Sequence, residues 1–110
     1  MDYLSKIDSF KALAKGWDSY NADPPSEAAM RTARILIGEG LRPDRLCPSV
    51  VGGIGLTFKA KDPQGTRDYT YVEIYNNNTV YRMDVVGEDI KVVQINGMGD
   101  LSDLLEMAKS

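Results

Sequence analysis

From Ile54 to Ile95 the chain runs in short alternations of apolar and polar residues broken by turn chemistry, a pattern that predicts antiparallel sheet. Ile54, Leu56, Phe58 and Ala60 alternate with Gly55, Thr57, Lys59 and Lys61, and Asp62-Pro63-Gln64-Gly65 then supplies a turn. The runs Tyr69 to Tyr75, Thr79 to Val86 and Ile90 to Ile95 follow, separated by Asn76-Asn77-Asn78 and Gly87-Glu88. The expectation is a four-stranded antiparallel meander.

The first third reads differently. Leu4, Ile7, Phe10, Leu13 and Ala14 recur at helical spacing between Asp2 and Lys15, and Gly16 stands where a helix C-cap often does. Ser26 is a good N-cap behind the Pro24-Pro25 stop, Glu27 lies in the first turn, and Met30, Ala33, Ile37 and Leu41 form the apolar stripe of a second helix. Gly38 and Gly40 weaken its end, and Arg42 to Pro48 reads as loop. Leu101, Leu104, Leu105 and Ala108 predict a short closing helix capped by Asp100. The fold class is thus α+β: two N-terminal helices packed on the meander, with a short C-terminal helix, in one domain over residues 1–110.

With 43% hydrophobic residues the chain can bury a core without disulfides or metal. Its apolar runs fall far short of the ~20 residues needed to span a bilayer, so no membrane association is expected. No signal-peptide pattern opens the chain, and the one cysteine, Cys47, is read as a buried inert thiol in a reducing cytoplasm. The net charge of -3 arises after residue 55, where nine acidic side chains face six basic ones. General binding to duplex nucleic acid, which depends on phosphate attraction, is therefore disfavoured.

Catalytic chemistry is poorly provided for. The absence of histidine and the single cysteine exclude Ser-His, Cys-His and His-based zinc sites. Asp18 and Asp23 are better read as capping or turn residues than as an acid and base pair. Asp84, Glu88 and Asp89 straddle a hairpin turn without calcium-loop spacing. Gly52-Gly53-Ile54-Gly55 precedes a strand and lacks a following Lys-Ser or Lys-Thr, so it marks a bend or bulge instead of a phosphate loop. An anion at the start of the second helix, near Arg31 or Arg34, is an unspecific signal. The chain is expected to be no enzyme and to need no cofactor or metal.

Two-residue loops at Asn77-Asn78 and at Gly87-Glu88 would set Val72 opposite Met83, Ile74 opposite Tyr81, Glu73 opposite Arg82, Asp84 opposite Lys91 and Val85 opposite Ile90. On that register Val72, Ile74, Tyr81, Met83, Val85, Ile90 and Val92 face inward with Leu56 and Phe58. The outer face carries Tyr69, Tyr71, Glu73, Tyr75, Arg82, Asp84 and Lys91, with Lys59 and Lys61 beside them. This face is either a solvated sheet surface or a binding surface, and tyrosine and arginine are enriched where binding energy concentrates. Tyr69, Tyr71, Tyr75, Arg82, Lys59 and Lys61 are the candidate binding residues.

The segment Gly16 to Ser26 holds the only tryptophan, read as core at the corner between the helices with its indole N–H on a nearby carbonyl or carboxylate such as Asp18. Trp17, Asp18, Tyr20, Ala22, Pro24 or Pro25, and Ser26 resemble the W-D-x-Y-x-A-x-P-x-S signature of a family of small, mostly uncharacterised bacterial and phage proteins. Pro48, Val50, Gly52-Gly53-Ile54, Leu56 and Phe58, then Val72-Glu73-Ile74 through Val80-Tyr81, resemble that family's first strand and hairpin. Asn21 stands where the family often has glycine, and it too tolerates a left-handed backbone. The resemblance implies a helix pair on an antiparallel sheet, a bacterial or phage origin, structural tasks for Trp17, Asp18, Tyr20 and Ser26, and no catalytic residues. The leading expectation is a non-enzymatic binding protein that inhibits a host defence enzyme or neutralises a toxin through the outer face. Sequestration of a nucleotide or other small anion is the alternative, with tyrosines stacking a base and Lys59, Lys61 or Arg82 holding phosphate. A homodimer formed through the same face is the third arrangement.

Overall fold

The computed structural model describes residues 2–13, 16–17, 23–59 and 68–109, the side chains of 98, 108 and 109 excepted. Helix α1 spans Tyr3–Ser9 and runs into a 3-10 turn at Phe10–Ala12. Asp2 caps it, accepting from the backbone N–H and the hydroxyl of Ser5, and these bonds hold its carboxyl below the ordinary value. The first helix is thus shorter than its periodicity predicts, because Leu13 is already extended at ψ 143. Helix α2 spans Glu27–Gly38, with Ser26 capping the N–H of Ala29 at 3.0 Å. At its far end Gly40 adopts φ 117 and Leu41 turns its N–H back to the Leu36 carbonyl, which buries Leu41 beyond the last helical turn.

The sheet has five strands, one more than the turn pattern predicts. They are β1 (Arg45–Pro48), β2 (Gly53–Lys59), β3 (Tyr69–Tyr75), β4 (Val80–Val86) and β5 (Asp89–Gln94), all antiparallel and in chain order. The segment read as loop contains β1, whose Pro48 is tolerated because this is an edge strand. Helix α3 spans Met98–Lys109, so Asp100 lies inside its first turn and reaches back to the N–H of Asn96 instead of capping the start. None of the helices in the described residues is long and apolar enough to cross a membrane.

The second hairpin has the expected register, with Val85 opposite Ile90, Asp84 opposite Lys91 and Met83 opposite Val92. The first hairpin is shifted by one residue. Tyr75 bonds Thr79 across a three-residue loop whose last member, Asn78, takes φ 72, so Ile74 pairs with Val80, Val72 with Arg82 and Tyr71 with Met83. A one-residue shift turns every side chain of β4, and with it β5, to the other face. Arg82, Asp84 and Lys91 therefore lie on the helix side, whereas Tyr81, Met83, Val85, Ile90 and Val92 share the outer face with the tyrosines of β3.

Asn76 supplies the reason. Its side chain accepts from the Ser26 N–H at 2.7 Å and donates to the Pro24 carbonyl at 3.0 Å, while its own carbonyl accepts from the Ser26 hydroxyl. Asn78 of the same turn accepts from the Thr32 hydroxyl. The turn is thus clasped to the start of α2, and this contact outweighs the apolar pattern of β4. The dense core lies over β1 to β3, where Leu46, Ile54, Leu56, Phe58, Val72 and Ile74 meet Ile7, Phe10, Met30, Ala33 and Ile37. Toward β4 the inner face turns polar: Thr70 donates to Asp84 at 2.5 Å, and Arg82 Nε lies 2.9 Å from Asp84 without hydrogen-bond alignment.

Trp17 is half-buried and stands outside the core cluster, contrary to the expectation from its size. Its indole N–H donates to the Asp23 carbonyl at 3.2 Å. The expectations for Asp18, Tyr20, Asn21, Ala60, Lys61 and the Asp62 to Gly65 turn lie outside the described residues.

Candidate functional site

All three helices pack on one side of the sheet: α1 and α2 over β1 to β3, and α3 beside the inward-facing Val93 and Ile95. The opposite side carries Tyr69, Tyr71 and Tyr75 on β3, Lys59 on β2, Tyr81, Met83 and Val85 on β4, and Ile90 and Val92 on β5. Tyr69 is 40% exposed, Ile90 62% and Val92 55%. Tyr75 and Tyr81 meet edge to face with centroids 5.7 Å apart. The strands therefore bring together three of the predicted site residues and Lys59, but they place Arg82 on the other side of the sheet. Lys61 lies outside the described residues.

At the β1 end this face hollows into a groove of about 260 Å³, lined by Arg45, Cys47, Ser49, Gly55, Thr57 and Tyr71 among others. Its shape follows from Gly55. A Cβ there would lie 2.8 Å from Tyr71 Cζ and 3.0 Å from its Cε2, so only glycine lets the ring lie across β2. Glu73, directly opposite Gly55, is 3% exposed and accepts a hydrogen bond from the Ser49 hydroxyl. Burial raises the Tyr71 phenol above its ordinary value of 10.0, and the hydrogen bond to Glu73 adds to the rise. Cys47 is half-buried in the groove wall and accepts from Arg45 Nε at 3.1 Å, so it is not the sequestered thiol its residue type suggested.

The Tyr71 shift has a definite sign. A phenol held protonated by the fold contributes stability that is complete below the ordinary tyrosine value and is lost as pH rises toward its folded value. Denaturant midpoints measured from pH 8 to 12 should fall more steeply for the wild type than for Tyr71→Phe; equal slopes would remove Tyr71 as the source.

A second hollow, about 190 Å³, lies on the helix side between β4, β5 and α3, where Arg82 and Lys91 meet Asp84, Asp100 and Asp103. Charges of both signs are interleaved there, and no group of potential metal ligands forms among the described residues.

Sequence reasoning missed Glu73, Ser49, Cys47 and Arg45 as one constellation. Its available signal was Gly55, a glycine inside a strand, which marks close approach by a neighbouring group. Compared with protein-family models, curated proteins and solved structures, the chain matches none, so the likeness to small bacterial and phage proteins rests on its sequence signature alone.

Proposed function

We propose that this chain is a non-enzymatic binding protein that docks a protein partner on the outer face of its sheet. The observation that carries this reading is the one-sided placement of the helices, which leaves Tyr69, Ile90 and Val92 exposed beside Tyr71, Tyr81 and Met83. Clustered apolar and tyrosyl surface with no described cover is the chemistry of an interface centre. In the bacterial or phage setting that the signature implies, the partner is a defence enzyme or a toxin whose surface is occupied. The nucleotide alternative is weakened, because Arg82 stands on the opposite face from the tyrosines.

Tyr69→Ala, Ile90→Ala and Val92→Ala combined should reduce capture of the partner from a host lysate by at least roughly thirty-fold. The melting temperature should stay nearly unchanged, since each side chain is exposed. Undiminished capture by the folded triple variant rejects the outer face. β5 is also a sheet edge, which favours pairing of two copies as the second arrangement. Light scattering that finds a monomer at every concentration removes that one.

A further inference from the structure

The groove beside Tyr71 holds a buried carboxylate without a cation. Among the described residues the ion pairs are Arg34 with Asp8 and Arg82 with Asp84, and neither reaches Glu73. The groove's own cation, Arg45, directs its Nε to Cys47. A carboxylate taken out of water without a countercharge is costly, and its hydroxyl partners relieve only part of that cost.

Those partners also determine what the groove offers. An ionised carboxylate can only accept, so Ser49 and Tyr71 must each spend their hydroxyl proton on Glu73. What remains for an occupant is lone pairs, one of them on Ser49 already shared with the Val51 N–H at 3.3 Å. The groove is thus an acceptor site backed by negative charge, with the Tyr71 ring as a surface for a cation. A volume of about 260 Å³ lies below the usual range for small-molecule pockets and suits a single side chain.

From this arrangement we infer that the groove receives an arginine or lysine side chain of the protein partner, its N–H groups on the Tyr71 and Ser49 oxygens and its charge balancing Glu73. The inference rests on the docking reading above and adds the chemistry of the partner's anchor. The chain's net charge of -3 favours a partner of that sign.

The test is an NMR titration of the isolated chain with N-acetyl-arginine amide, N-acetyl-lysine amide and the neutral isostere N-acetyl-citrulline amide. The two cations should give saturable shifts at the amides of Ser49, Gly55 and Tyr71, with a Kd on the order of 1 mM. Citrulline amide should bind at least about tenfold more weakly, and Glu73→Gln should weaken the cations by a similar factor. Should Glu73→Gln not fold, Tyr71→Phe keeps the ring and removes one acceptor, and a several-fold weakening is expected. Equal binding of citrulline and arginine amides, unchanged affinity in the folded variant, or no saturable shift overturns the inference. Probe failure together with partner capture that the outer-face triple substitution abolishes defeats the inference and leaves the docking reading intact. Probe binding together with capture that survives the triple substitution does the reverse.

Discussion

Gly53→Ala is expected to destabilise the protein by on the order of 4 kcal/mol and to lower Tm by roughly 20 °C. Gly53 opens β2 at φ 129, a backbone conformation closed to residues with a side chain, and it pairs with Tyr75. A Cβ on it would overlap the Ile74 carbonyl oxygen and stand 2.9 Å from that carbonyl's carbon and 3.0 Å from Tyr75 Cα. Backbone, unlike a side chain, has no alternative rotamer to take. Either β2 and β3 separate at this end or the β1 to β2 turn reorganises, and both expose Ile54 and Ile74, which are fully buried. Thermal unfolding followed by circular dichroism measures the effect; a Tm within a few degrees of the wild type would show that the turn has another conformation available.

The second large effect is expected at Asn76. Asn76→Ala removes the acceptor of the Ser26 N–H and the donor to the Pro24 carbonyl, leaving both partly buried groups unsatisfied. The loss should be about 2 to 3 kcal/mol. It should also be visible locally, because Trp17 is tied to the Asp23 carbonyl just before the clasped segment and is the only tryptophan. A red shift of its emission at temperatures where the sheet persists is the expected signature. Asn76→Asp should recover the bond from Ser26 but not the one to Pro24, and so fall between.

These two residues also show why some of the fold was legible in the sequence and some was not. The strands β2 to β5 are readable because alternation and turn residues are local properties, and the same is true of Ser26 as a cap. β1 was hidden because its four residues end in Pro48 and become a strand only by pairing with β2. The register of the first hairpin was hidden because it depends on whether Asn78 adopts a left-handed conformation, which the clasp of Asn76 to Ser26 decides from 50 residues away. The site follows the same division. Tyr69, Tyr71, Tyr75 and Lys59 were placed by alternation within single strands, whereas the side of Arg82 depended on the hairpin. Glu73 read as a surface charge, and its burial arises from an unpredicted strand, a glycine and a leaning tyrosine together.

Because the strands stand in chain order, each pairing closes a short loop, and little conformational entropy is lost at any one step of sheet assembly. The links of large sequence separation join the helices to the rest: Asp8 to Arg34 across 26 residues, Tyr3 to Pro43 across 40 and Ser26 to Asn76 across 50. Zippering of the meander is therefore the fast, local part of folding. The slow step is the seating of α1 and α2 on β1 to β3, and the kinetic barrier to unfolding is held by that seam.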